Sequence, residues 1–210
     1  PGRYSTTETS HAKSEPRPVQ AFAGLLLACA ESANRARTVG DALPNIVDAV
    51  ANAFGWPVGH ALILEHATSG SFRSAGIWST AVREGGYETF RDATARTVFT
   101  LGSGLPGRVA ANAQLVWVSA LDQRAWCLRS QATDGLRTAV SLPVLHDGRP
   151  VVVLEFLTPE VVDPDDTMIA ALEHIADLLA ATADRGLAVE DVLSSLTEER
   201  DFVAVLSHEL

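Results

Sequence analysis

The sequence predicts an α+β fold on two observations. Its strand-like segments come in neighbouring pairs joined by turn residues, as antiparallel hairpins do, and helical patterns flank them on both sides. A doubly wound parallel sheet would instead alternate strand with helix. The 210 residues, 47% of them hydrophobic, suffice for one core with helical extensions.

Residues 1–18 are polar, contain proline and lack periodicity, which predicts a flexible tail. An N-terminal helix suited to packing or dimer contact follows over 19–37, where Phe22, Leu25, Leu26, Cys29 and Ala33 recur at spacings of three and four. Its Leu26-Leu27-Ala28-Cys29 run resembles a lipoprotein lipobox, but an amphipathic helix whose small residues pack closely accounts for the same run. A second helix after Gly40 places Leu43, Ile46, Val47, Val50 and Phe54 on one face, with Pro44 expected in its first turn.

His60 to Glu65 and Phe72 to Trp78 flank a Thr-Ser-Gly-Ser turn and read as a hairpin. A charged stretch over 79–99 carries a short helical signal from Tyr87 to Ala95. Pro106 is placed to open a helix running to about Asn112, Leu115 to Val118 is a short strand, and Asp122 to Gly135 is a loop. Ala139 to Leu145 and Val151 to Leu157 are apolar strands joined through Asp147-Gly148, a tight-turn pair. Pro143 lacks an N–H, so it must sit at a bulge or a sheet edge.

Beyond Pro164 a helical pattern runs on. Ile175, Thr182, Val189, Leu196, Val203 and Leu210 recur every seven residues, with Leu178, Arg185, Val192, Glu199 and Leu206 three later. Eight of these eleven are apolar on an otherwise acidic segment, which suits a coiled coil between two copies. A lone helix packed back on its own domain is the alternative.

Charge is uneven. Residues 160–210 hold 13 acidic and 2 basic side chains, a net of −11, while residues 1–159 hold 13 acidic and 14 basic, a net of +1. No basic patch suits nucleic acid. The longest apolar run, Ala21 to Ala30, has ten residues, about half of what a membrane span needs. Two cysteines, Cys29 and Cys127, fit a reducing compartment, and no metal site is expected from the spacing of the six histidines.

The segments GWPVGHALIL, LGSGLPGRVA, VWVSAL and DGLRTAVSLPVLHDGRPVVVLEFL, in this order, resemble the GAF domain family of bacterial small-molecule sensors over 38–185. The resemblance implies a central antiparallel sheet of five or six strands, terminal helices on one face and a ligand pocket under loops on the other. Gly102 to Gly107 also matches G-x-G-x-x-G, but Pro106 removes a phosphate-facing N–H and no parallel unit surrounds it. Turn geometry is the better account.

The run Glu198 to Leu210, with Ser207-His208-Glu209-Leu210 at its end, resembles the phosphoacceptor box of sensor histidine kinases, which continues Arg-Thr-Pro-Leu. This implies a helix over 186–210 that carries signals into the start of a dimerisation and phosphoacceptor domain. By that motif His208 is the phosphorylated nucleophile and Glu209 the general base, since an uncharged imidazole nitrogen can attack phosphorus in line. A longer, cytoplasmic protein is expected, with ATP and magnesium in a further domain and a cognate response regulator as partner. The 210 residues have no G-x-x-x-x-G-K-[ST] loop and one lysine, Lys13, so no cofactor and no catalysis are expected of them alone.

GAF ligands range from cyclic nucleotides, haem and bilins to small metabolites, and some members bind nothing. Cys127 is followed by Leu128 rather than the histidine common at bilin attachment sites, and His60 is the least poor haem candidate. An organic ligand would lie between the sheet and segments 79–99 and 119–137. Trp78, Phe90, Trp117 and Trp126 would line it, with Arg129 or Arg137 anchoring an anion. Ordinary core packing is the competing account of the tryptophans. The alternative function is a freestanding small-molecule-binding GAF protein with no kinase role.

Overall fold

A computed structural model describes residues 20–66, 70–121, 128–129 and 132–186. The expected tail 1–18 and the segment 187–210, with the coiled-coil positions from Val189 onward, lie outside them.

Helix α1 (Gln20–Arg35) buries Phe22, Leu25, Cys29 and Ala33, the stripe its spacing predicts. The lipobox-like run is thus part of a packed helix, and burial pushes the Cys29 thiol up to about 12. Helix α2 (Val39–Phe54) starts at a capping box: Asp41 N donates to Thr38 Oγ1 (3.3 Å) and Thr38 N to Asp41 Oδ2 (3.0 Å). It begins before Gly40, so Pro44 lies in the second turn and not the first. The bond that Pro44 cannot make would go to the Gly40 carbonyl, and Gly40 is exposed to water.

The strands β1 (Val58–His66), β2 (Ser71–Trp78), β3 (Phe99–Thr100), β4 (Val116–Val118), β5 (Thr138–His146) and β6 (Arg149–Thr158) form one sheet in the order β3-β2-β1-β6-β5-β4. Every pairing is antiparallel. Its two edge strands are the shortest, which limits the exposed ladder. Asp147 and Gly148 both have positive φ (49° and 71°), as the two-residue turn between β5 and β6 requires. β4 pairs only with Ala139 to Ser141, so Pro143 stands where β5 has become an edge, beside a register irregularity at Val144/Leu145.

Helices α1 and α2 and a helix over residues 166–186 (α6) cover one face of the sheet. Leu142, Val152, Leu154 and Phe156 point to that face and meet Val50, Leu172, Ile175 and Leu179 in its core. Ile175 and Thr182, two positions of the heptad stripe, are therefore spent inside the domain. Thr182 Oγ1 (3.4 Å) and Arg185 Nη2 (2.9 Å) both donate to the Ala33 carbonyl in the last turn of α1. Over 166–186 the alternative of a helix packed on its own domain is the one realised.

The other face carries α3 (Thr80–Arg83), α4 (Glu88–Arg96) and α5 (Gly104–Asn112). A Cβ on Gly107 would fall 2.0 Å from the Thr100 carbonyl oxygen, so only glycine lets α5 fold this closely onto β3. Gly102 N donates to Gly107 O at 2.7 Å across the same turn, in keeping with a conformational role for these glycines. Neither α3 nor β3 is marked by the sequence pattern.

Candidate functional site

The side chains of α3 to α5 and of the second sheet face make a separate core, lined by Leu62, Phe72, Phe90, Phe99, Leu105, Leu136 and Val153. A row of polar residues crosses this apolar surface. Ser141 on β5 is the register partner of Glu155 on β6, Glu155 of His60 on β1, and His60 of Trp78 on β2. Directly opposed residues share a face, so all four project to the face covered by α3, α4 and α5.

Glu155 and His60 are 0% exposed. A carboxylate in that position must be paired. Arg129, from the stretch between β4 and β5 and itself 3% exposed, supplies the pair: Nη2 donates to Oε1 at 2.6 Å and Nη1 to Oε2 at 3.0 Å. Nη1 also donates to Thr94 Oγ1 on α4 (3.0 Å). The guanidinium lies 4.6 Å from the Phe90 ring centroid and 4.8 Å from that of Phe99, held by two aromatic rings. Burial alone would push the Glu155 carboxyl up, but Arg129 and the nearby His60 outweigh it and hold it down at about 2.

His60 stacks on Trp78 with ring centroids 3.8 Å apart. Its Nε2 is 2.8 Å from Ser74 Oγ. Ser74 Oγ also accepts from Gly76 N (3.1 Å), which fixes the hydroxyl beside the ring. Nδ1 faces Glu155 Oε2 at 3.5 Å without making a hydrogen bond. Burial lowers the His60 pKa and Arg129 lowers it further against the pull of Glu155, so the imidazole is neutral at pH 7. Ser141 Oγ is likewise buried without a partner. Each such group costs about 1–3 kcal/mol when left unpaired.

The wall is fixed by contacts between segments. Asp134 Oδ2 accepts from Phe90 N (2.8 Å), capping α4 from outside its own chain segment. On the far side, Asp48 of α2 accepts from Thr80 N (2.7 Å) and Arg83 Nη2 (2.8 Å), tying α3 to the helix-covered face. Burial raises the Asp48 pKa, but these hydrogen bonds prevail and keep it below the ordinary range.

Of the residues expected to line the pocket, Trp78, Phe90 and Arg129 meet here. Trp117 does not: β4 alternates, so Val116 and Val118 face this core while Trp117 turns to the helix side. There it packs on Trp56 at 5.3 Å and donates Nε1–H to the Val162 carbonyl (3.0 Å). Arg137 is exposed and does not enter the buried site. Trp126, His208 and Glu209 lie outside the described residues. Among those described, no three His, Cys, Asp or Glu side chains gather to hold a metal ion, and no helix is long and apolar enough to cross a membrane.

Glu155 and its partnership with His60 escape a reading by motif. The signal was present, because a lone carboxylate inside the apolar run Val151 to Leu157 must be either paired or strained.

A family model described as GAF domain matches residues 36–183. The fold is shared with the free methionine-R-sulfoxide reductase of Neisseria meningitidis, solved with its substrate, at TM-score 0.67 and 18% identity over 86% of this chain and 99% of that one. The GAF domain of a phosphoenolpyruvate-protein phosphotransferase from Coxiella burnetii aligns at TM-score 0.66 and 14% identity, covering 83% and 99%. A putative GAF sensor protein from Burkholderia vietnamiensis gives TM-score 0.64 and 12% identity over 80% and 96%. A comparison with curated proteins gives no match.

Proposed function

This chain belongs to the GAF domain family, and from that premise we propose that it is the sensory input region of a cytoplasmic histidine kinase. A small ligand or partner acts at the Glu155 face, and the response travels through α6 into residues 187–210, where His208 accepts phosphate and Glu209 serves as base. Two copies pair through α1 and the C-terminal helix; the exposed Leu27 on the outer side of α1, 63% accessible, supports a contact there. ATP and magnesium act in a catalytic domain of the longer protein, and a response regulator takes the phosphoryl group.

One observation carries the reading. Glu155 faces the site, while its strand neighbours Leu154 and Phe156, both 0% exposed, face the core formed with α2 and α6. A displacement of β6 at the site is therefore felt by the helix that leads to the phosphoacceptor segment, because close-packed interiors transmit rather than absorb such shifts. Incubating the full-length protein with radiolabelled ATP and magnesium tests the assignment. The expected product is an acid-labile label that His208→Gln abolishes; a label that survives this substitution refutes it.

A further inference from the structure

The sequence pattern offers Arg129 as an anion anchor, but the structure gives it a different place. Both terminal nitrogens of its guanidinium are already committed to Glu155. The fixed group is the carboxylate: Glu155, His60 and Ser141 are set by register on three adjacent strands. Arg129 comes from a turn outside any strand or helix. Its guanidinium sits in a box of Glu155, Thr94, Phe90 and Phe99 that would accept any compact cation. Beside that box His60 Nδ1 and Ser141 Oγ remain buried and unpartnered, so Arg129 does not use all the hydrogen bonds on offer.

We propose that this face binds a small organic cation, a guanidinium or primary ammonium compound, which replaces the Arg129 guanidinium on Glu155. The proposal rests on the reading of this face as the sensory site and names its ligand class. Charge decides the class. With Arg129 withdrawn, the site retains a carboxylate that is 0% exposed, and a cation is the partner that restores its charge balance. An anion paired with Arg129 would either strip Glu155 of its partner or place two negative charges together in a dry site. A guanidinium offers five N–H donors and an ammonium three, against the two oxygens of Glu155 and Thr94 Oγ1. A cation that also bears a hydroxyl, able to donate or accept, gains contacts with His60 Nδ1 and Ser141 Oγ, which Arg129 leaves idle. That gain is the driving force for exchange.

The test is titration calorimetry of the full chain with agmatine, which carries a guanidinium and an ammonium, and with succinate as the anionic probe. Agmatine should bind wild type saturably, and Glu155→Gln should weaken it at least about tenfold while the near-UV circular dichroism is kept. Arg129→Met should bind agmatine at least about tenfold more tightly, because a tethered competitor present at high effective concentration is gone. Succinate should not bind. The proposal is overturned if agmatine fails to bind wild type, if Glu155→Gln leaves its affinity unchanged, or if succinate binds in a manner that requires Arg129. Should Arg129→Met not fold, the wild-type and Glu155→Gln titrations decide alone. Succinate binding would remove the cation and leave the sensory reading standing, and the label at His208 is measured independently of both.

Discussion

Replacing Arg129 by methionine removes the charge from the buried pair and keeps an unbranched apolar chain between Phe90 and Phe99. Glu155 then stays fully buried in the middle of β6, between β1 and β5, with no route to water. Breaking a buried pair from one side costs about 3–5 kcal/mol, a large part of the roughly 5–15 kcal/mol that holds a domain together. Glu155→Leu should cost less. The orphan is then Arg129, which belongs to no strand and whose long side chain can turn outward. The double variant Arg129→Met with Glu155→Leu substitutes apolar atoms for the whole pair and should return to within about 1–2 kcal/mol of wild type. Urea unfolding followed by tryptophan fluorescence reads all four corners of the cycle, with a coupling of about 2–3 kcal/mol between the two positions. Single costs that simply add, or an Arg129→Met protein as stable as wild type, would refute the claim that this pair holds the carboxylate.

Acid should destabilise the protein in two stages. His60 is held below its ordinary value, so its contribution is complete above pH 6.5 and is lost as pH falls below that. Glu155 drops from 4.5 unfolded to about 2 folded, so its contribution of about 3 kcal/mol is lost between pH 4.5 and 2. In Arg129→Met the second stage should vanish or reverse, which unfolding curves at stepped pH will show. Gly107→Ala drives a Cβ to 2.0 Å from the Thr100 carbonyl and should lower stability by at least about 2 kcal/mol in the same urea assay. Native Cys29, buried with its thiol raised to about 12, should resist iodoacetamide at pH 8 until urea is added, as peptide mapping would reveal.

Much of the architecture could be read from the chain because local chemistry and tertiary packing agree there. The stripe of α2 follows from apolar residues at helical spacing, and the helix opened near Pro106 and the Asp147-Gly148 hairpin from one or two residues in one place. Agreement ends where a residue has two uses. Thr182 and Arg185 fit a heptad count as polar interruptions, yet they hydrogen-bond the last turn of α1, a partner some 150 positions away that no local count reveals. Trp117 attracts notice as a large aromatic near a loop, and only strand alternation shows that it faces the helices. The centre of the site was the hardest to read. Glu155 stands out as the one carboxylate in an apolar strand, but its partner His60 is set only by the register of β1 on β6, which no local pattern reveals.

The most direct test is the rate of His208 labelling in the full-length protein, compared between wild type and Glu155→Gln. If the buried site and the phosphoacceptor are coupled through β6 and α6, removing one charge at the site should change that rate about fivefold or more, the span of ordinary allosteric coupling. An identical rate in a Glu155→Gln protein that has kept its fold would contradict the relay.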